Sequence, residues 1–371
     1  MNIAHVKYSS IALAILVLGA PAFAAPAGEA QSYPEPDTLL GERLFPDEPA
    51  IAQELGDVIE ETVRKQYSNG SARRDAHPKA HGCVKAEFHV EDKLESRLAK
   101  GIFIPGKTYE AWVRFSNGNP DPTKPDFEGQ ERGMSIKVLG VPGEKILESE
   151  RQDTTQDFVM MSHPVFFVKD PAKVVPFFKE LGSDSIWGKL QLPFTLGLSD
   201  MLTLLEINRL KISNPLQTRY WSPTPYQLGL GPDRMAIKFS AMPCGTTVDP
   251  MPDQPGPDFL RQAMKDTLTH GDACMNFMIQ PRTSDKMDVE DAKTRWEEAD
   301  APFYKVAIVR IPQQDFDSPE QHAFCENLSF TPWHALPDHK PLGSINRVRK
   351  VVYERISSTR HAMNQVERKE P

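Results

Sequence analysis

Between residues 84 and 90 the chain alternates with a period of two: Val84, Ala86, Phe88 and Val90 are apolar, and Lys85, Glu87 and His89 between them are polar. Successive strand residues point to opposite faces, so this segment reads as a strand with one buried face. Residues 109–116, 133–139, 235–240, 274–280 and 304–311 are likewise rich in β-branched or aromatic residues and bounded by Gly, Pro or Asp. A different period interrupts them. Ile51, Leu55, Val58, Ile59 and Val63 recur at helical spacing. Asp170-Pro171 starts a second helix that runs to about Gly182, with a kink expected at Pro176, and further helices are expected over 198–210 and 344–361. Two groups of strands separated by helices and by a Pro-rich loop at 245–257 predict an α+β fold built around an antiparallel sheet or barrel. No internal repeat is present.

The 371 residues, 39% of them hydrophobic, suffice for a large buried core. A net charge of −8 and the lack of any block of Lys/Arg exclude a phosphate-tracking face, so no nucleic-acid partner is expected. At the amino end, Lys7 precedes an apolar run from Ile11 to Leu18 and then Ala22-Phe23-Ala24-Ala25. That layout is a signal peptide over residues 1–24. The run is too short for a transmembrane anchor, and no later stretch reaches the roughly 20 apolar residues a spanning helix needs. An exported protein, in the bacterial periplasm, is the expectation. Residues 25–49, rich in Pro, Ala, Gly and acids, read as a mobile leader, and residues 50–371 as one domain. Four cysteines, at 83, 244, 274 and 325, leave room for a disulfide in an oxidising compartment, with the pairing open.

The helix over 344–361 carries the chemistry. At about 100° per residue, Ile345, Val352, Ile356, Tyr353 and Arg360 all fall within about 60° of Arg349. A face that apolar is normally turned to the core, and a buried guanidinium then needs negative charge beside it. One turn before Tyr353, Arg349 favours the phenolate that metal ligation requires. Charges on helices are usually solvated, so the pattern alone describes a surface helix equally well. What lies upstream decides between them.

The segment Arg74-Asp75-Ala76-His77-Pro78-Lys79, with Gly82 beyond it, resembles the catalase segment that carries the distal histidine. Val113-Arg114-Phe115-Ser116, Arg132-Gly133 and His163-Pro164-Val165-Phe166-Phe167-Val168-Lys169-Asp170 are similar to the next motifs of that family, in order. Arg349, Tyr353 and Arg360 reproduce its proximal spacing. The resemblance covers roughly residues 70–362, least clearly over 185–300, and favours the shorter catalase-related haem peroxidases. It implies an antiparallel β-barrel of the catalase type with surrounding helices, haem b (iron protoporphyrin) bound to Tyr353, and His77 as the acid/base on the opposite side.

In the reaction that the resemblance implies, His77 moves a proton between the two oxygens of hydrogen peroxide or an organic hydroperoxide, and a small organic electron donor completes peroxidase turnover. Ser116, two residues from Arg114 on one strand face, is expected to orient His77; Arg114, Arg74 and Arg360 to meet the haem carboxylates; and Phe167 to pack on the distal side. Ser162 stands where catalases have an asparagine, which shifts the expectation from catalase towards peroxidase. Gly118 stands near a bulky gate of the family, which suggests a wider pocket. Rival readings are rearrangement of fatty-acid hydroperoxides, an exported haem-binding protein without turnover, and a metal site at His77 and His81 on one helical face, which Pro78 disfavours. His163, His334 and His339 read as structural.

Overall fold

In the computed structural model, which describes residues 32–128, 131–181 and 193–371, the alternating segments join into one antiparallel sheet. Its strands are β1 (Ala80–Val90), β2 (Thr108–Asn117), β3 (Arg132–Leu139), β4 (Thr155–Met161), β5 (Tyr220–Trp221), β6 (Tyr226–Leu228), β7 (Met235–Pro243), β8 (Ala273–Pro281) and β9 (Tyr304–Ile311). They lie in the order β5-β4-β3-β2-β1-β9-β8-β7-β6, and β5 pairs with β7 as well as β4, which closes the sheet into the expected barrel. The alternating residues Val84, Ala86, Phe88 and Val90 point inward. Phe88 meets Phe277 edge-on at 5.2 Å between ring centroids, and Phe158 meets Phe239 at 4.9 Å.

Helices cover the outside. They are α1 (Glu48–Gln66), α2 (Val174–Leu181), α3 (Leu198–Asn208), α4 (Phe259–His270), α5 (Pro319–Asn327) and α6 (Ser344–Asn364). Leu55, Ile59 and Val63 of α1 pack with Val348, Val352 and Ile356 of α6 in a second core outside the barrel. The side chain of Asp170 caps the turn that leads into α2, accepting the Ala172 N–H at 2.9 Å. Pro176 is the third residue of α2, inside its first turn, where a missing N–H costs no hydrogen bond, so the kink expected there has no cause. Among the described residues no helix is long and apolar enough to cross a membrane.

The leader expected to be mobile over 25–49 is instead packed from Tyr33 onward, while the expected signal peptide and residues 25–31 lie outside the described residues. Asp37 pairs with Arg234 at 2.7 Å. Glu42 and Glu48 then converge with Glu290 on the guanidinium of Arg347, at 2.6, 2.7 and 3.0 Å, with all four side chains fully buried. Glu42 and Glu290 also accept the N–H groups of Gly343 and Ser344, which the start of α6 leaves without intrahelical partners. The acids that make this stretch look disordered by composition are thus the counter-charges of a cation some 300 residues away.

Two disulfides complete the frame: Cys83 of β1 is joined to Cys325 of α5, and Cys244 to Cys274 of β8.

Candidate active site

A cavity of about 550 Å³ is walled by β2, β3 and β4 on one side and by α1, α2, α3 and α6 on the other. His77 and Tyr353 both line it. His77 lies in the segment leading into β1 and adopts left-handed backbone geometry, φ 57°, which is uncommon for a residue with a side chain. Its conformation is held from two sides. Arg114 donates through Nη2 to the His77 carbonyl at 2.7 Å, and the Ser116 hydroxyl lies 3.3 Å from Nδ1. Gly133 pairs with Ser116 across the β2–β3 ladder; a Cβ on it would stand 2.7 Å from both His77 Nδ1 and Ser116 Oγ. Only glycine leaves room for that pair. Burial, reinforced by the cations of Arg114, Arg349 and Arg132, pushes the His77 pKa down to about 3, so the ring is a neutral imidazole at pH 7.

Tyr353 faces the same space from α6. Arg349, one turn earlier, donates through Nη2 to the Tyr353 oxygen at 3.1 Å and through Nη1 to Asn346 Oδ1 at 3.0 Å. Its guanidinium sits 5.0 Å from the phenol ring centroid. The oxygen of Tyr353 is therefore braced by a fixed cation at the cavity wall.

Arg74, Arg114 and Arg360 also line the cavity. Arg74 pairs with Glu326 at 3.1 Å, and Arg74 and Arg360 both donate to the Leu328 carbonyl just beyond the end of α5. Burial, together with Arg74 and Arg360, pushes Arg114 well below the usual guanidinium range; burial and Arg74 bring Arg360 down to about 9. A guanidinium keeps its proton at neutral pH. Arg74 and Arg360 share one carboxylate, that of Glu326, at 3.1 and 3.9 Å, and Arg114 Nε is buried with no hydrogen-bond partner. Burial raises the pKa of Asp75, at the same wall, against the opposing influence of its backbone hydrogen bonds and of Arg74 and Arg360.

Phe167 lines the cavity and packs on Phe166 and Phe177, with ring centroids 4.6 and 4.7 Å apart. Ser162 does not reach the cavity. Its hydroxyl accepts the backbone N–H of Arg132 at 2.8 Å, so the catalytic role expected of it is corrected to a structural one. Ser162→Ala is expected to lower folding stability by about 1–3 kcal/mol, the cost of a buried N–H left unpaired, which thermal melts read.

The wider pocket expected at Gly118 is also corrected. The Glu131 carboxyl occupies that space, 2.3 Å from where a Cβ on Gly118 would stand. His81 lies in β1, fully buried with Nδ1 3.6 Å from Asp126, so it shares no helical face with His77. His163 bonds the Val165 carbonyl at 2.9 Å, His339 accepts the Ile102 N–H at 3.1 Å, and His334 bonds Thr155 and Glu150. Sequence reasoning missed Asp75 and Glu131 as cavity residues. Asp75 stood inside the quoted histidine segment, and Glu131 is a single acid before an Arg-Gly pair, with no periodic signal to mark it.

In sequence the chain matches no protein-family model and no curated protein. Solved structures do match. A bacterial catalase aligns with a TM-score of 0.63 at 15% identity over 93% of this chain and 67% of its own. A fungal catalase gives 0.61 at 16% over 92% and 66%, and catalase A from Saccharomyces cerevisiae gives 0.59 at 16% over 91% and 68%. The chain spans about two thirds of the length of these proteins.

Proposed function

We propose that this chain, which has the fold of the catalases, is a haem-dependent oxidoreductase that decomposes peroxides, a peroxidase with weak catalase activity. The observation that carries the reading is one cavity holding a phenol braced by an arginine, a neutral histidine, and three guanidiniums, two of which share the single carboxylate of Glu326. Those residues fit haem b. Tyr353 supplies an oxygen ligand for the iron, and Arg74, Arg114 and Arg360 supply cations for the two carboxylates of the macrocycle. Haem, when bound, supplies the redox-active iron at which a peroxide O–O bond is broken.

The protein's own part is to hold and move protons. His77 is neutral and can take a proton from the inner peroxide oxygen and return it to the outer one. Ser116, at Nδ1, keeps the ring in register and leaves Nε2 for the substrate. Arg349 holds charge beside the Tyr353 oxygen. Phe166, Phe177, Leu204 and Ile207 make the remaining wall apolar, which suits an organic hydroperoxide as well as hydrogen peroxide. With Ser162 turned away, hydrogen peroxide lacks the amide that orients it in catalases, and this favours peroxidase over disproportionation, with a small organic molecule as electron donor. The signal-peptide layout and two disulfides support export to the periplasm.

The test is an absorption spectrum of protein loaded with haem, before and after Tyr353→Phe. Wild type is expected to show high-spin ferric haem with a tyrosinate signature, and the substitution to abolish it; identical spectra overturn the ligand assignment. The apolar wall also favours a second reading, rearrangement of fatty-acid hydroperoxides, and product analysis separates the two: oxidised donor or oxygen for the first, an isomerised lipid for the second.

A further inference from the structure

The β2–β3 ladder does not end at the Ser116–Gly133 pair that surrounds His77. It continues for two residues to Gly118 and Glu131, where the Gly118 N–H donates to the Glu131 carbonyl at 3.0 Å. Residues two apart on a strand share a face, about 7 Å from one another. Glu131 thus projects from the same face as the residues that grip His77, and it lines the cavity. The glycine opposite leaves its carboxyl room: a Cβ on Gly118 would stand 2.3 Å from it. Where a catalase has an amide beside the distal histidine, this chain has a serine bonded to backbone and, from another strand, this carboxyl.

The geometry points to Glu131 as a peroxide-binding residue, its carboxyl set to hydrogen-bond the outer oxygen of a hydroperoxide whose inner oxygen lies at His77. The inference rests on the proposed function. Burial raises the Glu131 pKa, against the opposing influence of the adjacent Arg132 and of His163. Of the cavity's other groups, Glu128 is acidic and His77 neutral, whereas Arg74, Arg114, Arg349 and Arg360 line the same space and favour the ionised form, so burial is the influence that favours the proton. A protonated carboxyl has one donor to offer, which is what a hydroperoxide with its own proton at His77 still lacks at the far oxygen.

The experiment uses full-length, haem-loaded wild type, Glu131→Gln, Glu131→Leu, Gly118→Ala and Asp75→Asn. Infrared spectra at pH 7 are expected to show a protonated-carboxyl band that disappears in Glu131→Gln and persists in Asp75→Asn. Hydroperoxide cleavage is expected to fall about tenfold or more in Glu131→Leu, to recover most of that loss in Glu131→Gln, whose amide can donate, and to fall in Gly118→Ala as the new methyl displaces the carboxyl. Cleavage by Glu131→Leu at the wild-type rate, or the absence of a band assigned to Glu131, overturns the assignment while leaving the proposed function standing. A haem-loaded wild type that cleaves no peroxide overturns the proposed function and the peroxide contact together.

Discussion

Replacing His77 by alanine is expected, on the proposed function, to slow peroxide cleavage by about 100-fold or more while haem stays bound, because the ring would carry the proton and Tyr353 would hold the iron. The pH profile sharpens this. With its pKa pushed down to about 3 by burial and by Arg114, Arg349 and Arg132, His77 stays neutral throughout the physiological range, so wild-type cleavage should be flat from about pH 8 to about pH 5 and decline only as the pH falls towards 3. A histidine with an ordinary pKa would instead lose half its activity near pH 6.5. The same shift has a stability consequence of definite sign. The unfolded chain takes up a proton on this imidazole below about pH 6.5 and the folded chain does not, so the fold loses stability as pH drops through that window, and His77→Ala should weaken that dependence. Rapid-mixing kinetics with parallel haem spectra read the first effect and melts across pH the second. An unchanged cleavage rate would overturn the acid/base role proposed for His77.

Arg347→Met is expected to be the most damaging single change to the fold. It leaves Glu42, Glu48 and Glu290 buried together with their shared cation gone, and removing one partner of a buried ion pair costs about 3–5 kcal/mol. Against a total stability of about 5–15 kcal/mol for a typical domain, that is a large share. Chemical denaturation should show the loss, and proteolysis should cut residues 33–47 first, because their attachment to α6 runs through this guanidinium. Combining Arg347→Met with Gln at Glu42, Glu48 and Glu290 should recover part of the stability, since neutral amides tolerate burial better than uncompensated carboxylates. Equal stability of Arg347→Met and wild type would contradict the buried arrangement.

β1 was legible because its alternation is written in the residues, and β2, β3, β7, β8 and β9 because they are rich in β-branched or aromatic residues bounded by Gly, Pro or Asp. β4 was not, for it is covered on both sides and carries Thr155, Gln156 and Asp157 in the interior, where Asp157 is satisfied by Lys137 at 2.7 Å and by the Thr331 N–H at 2.9 Å. A polar strand satisfied by distant partners has no apolar period to read. β5 and β6, at two and three residues, are too short to have one. α5 buries only Cys325 among its nine residues and leaves no stripe. At the candidate site, the arginine–tyrosine spacing was visible because a single helix sets it. The displacement of Ser162 and the arrival of Glu131 were not, since which of two neighbouring strands presents a side chain to a cavity depends on register across the sheet.

Asn364, at the end of α6, holds both the N–H and the carbonyl of Ala72, 292 positions earlier, at 2.7 and 2.9 Å. Whether the chain emerges from a ribosome or through an export channel, its amino end comes first, so one wall of the cavity is made early and must wait for the opposite wall until synthesis or translocation is nearly finished. Closure of the cavity is therefore a terminal event in maturation, and a product that stops short of residue 344 would lack the wall that carries Arg349, Tyr353 and Arg360.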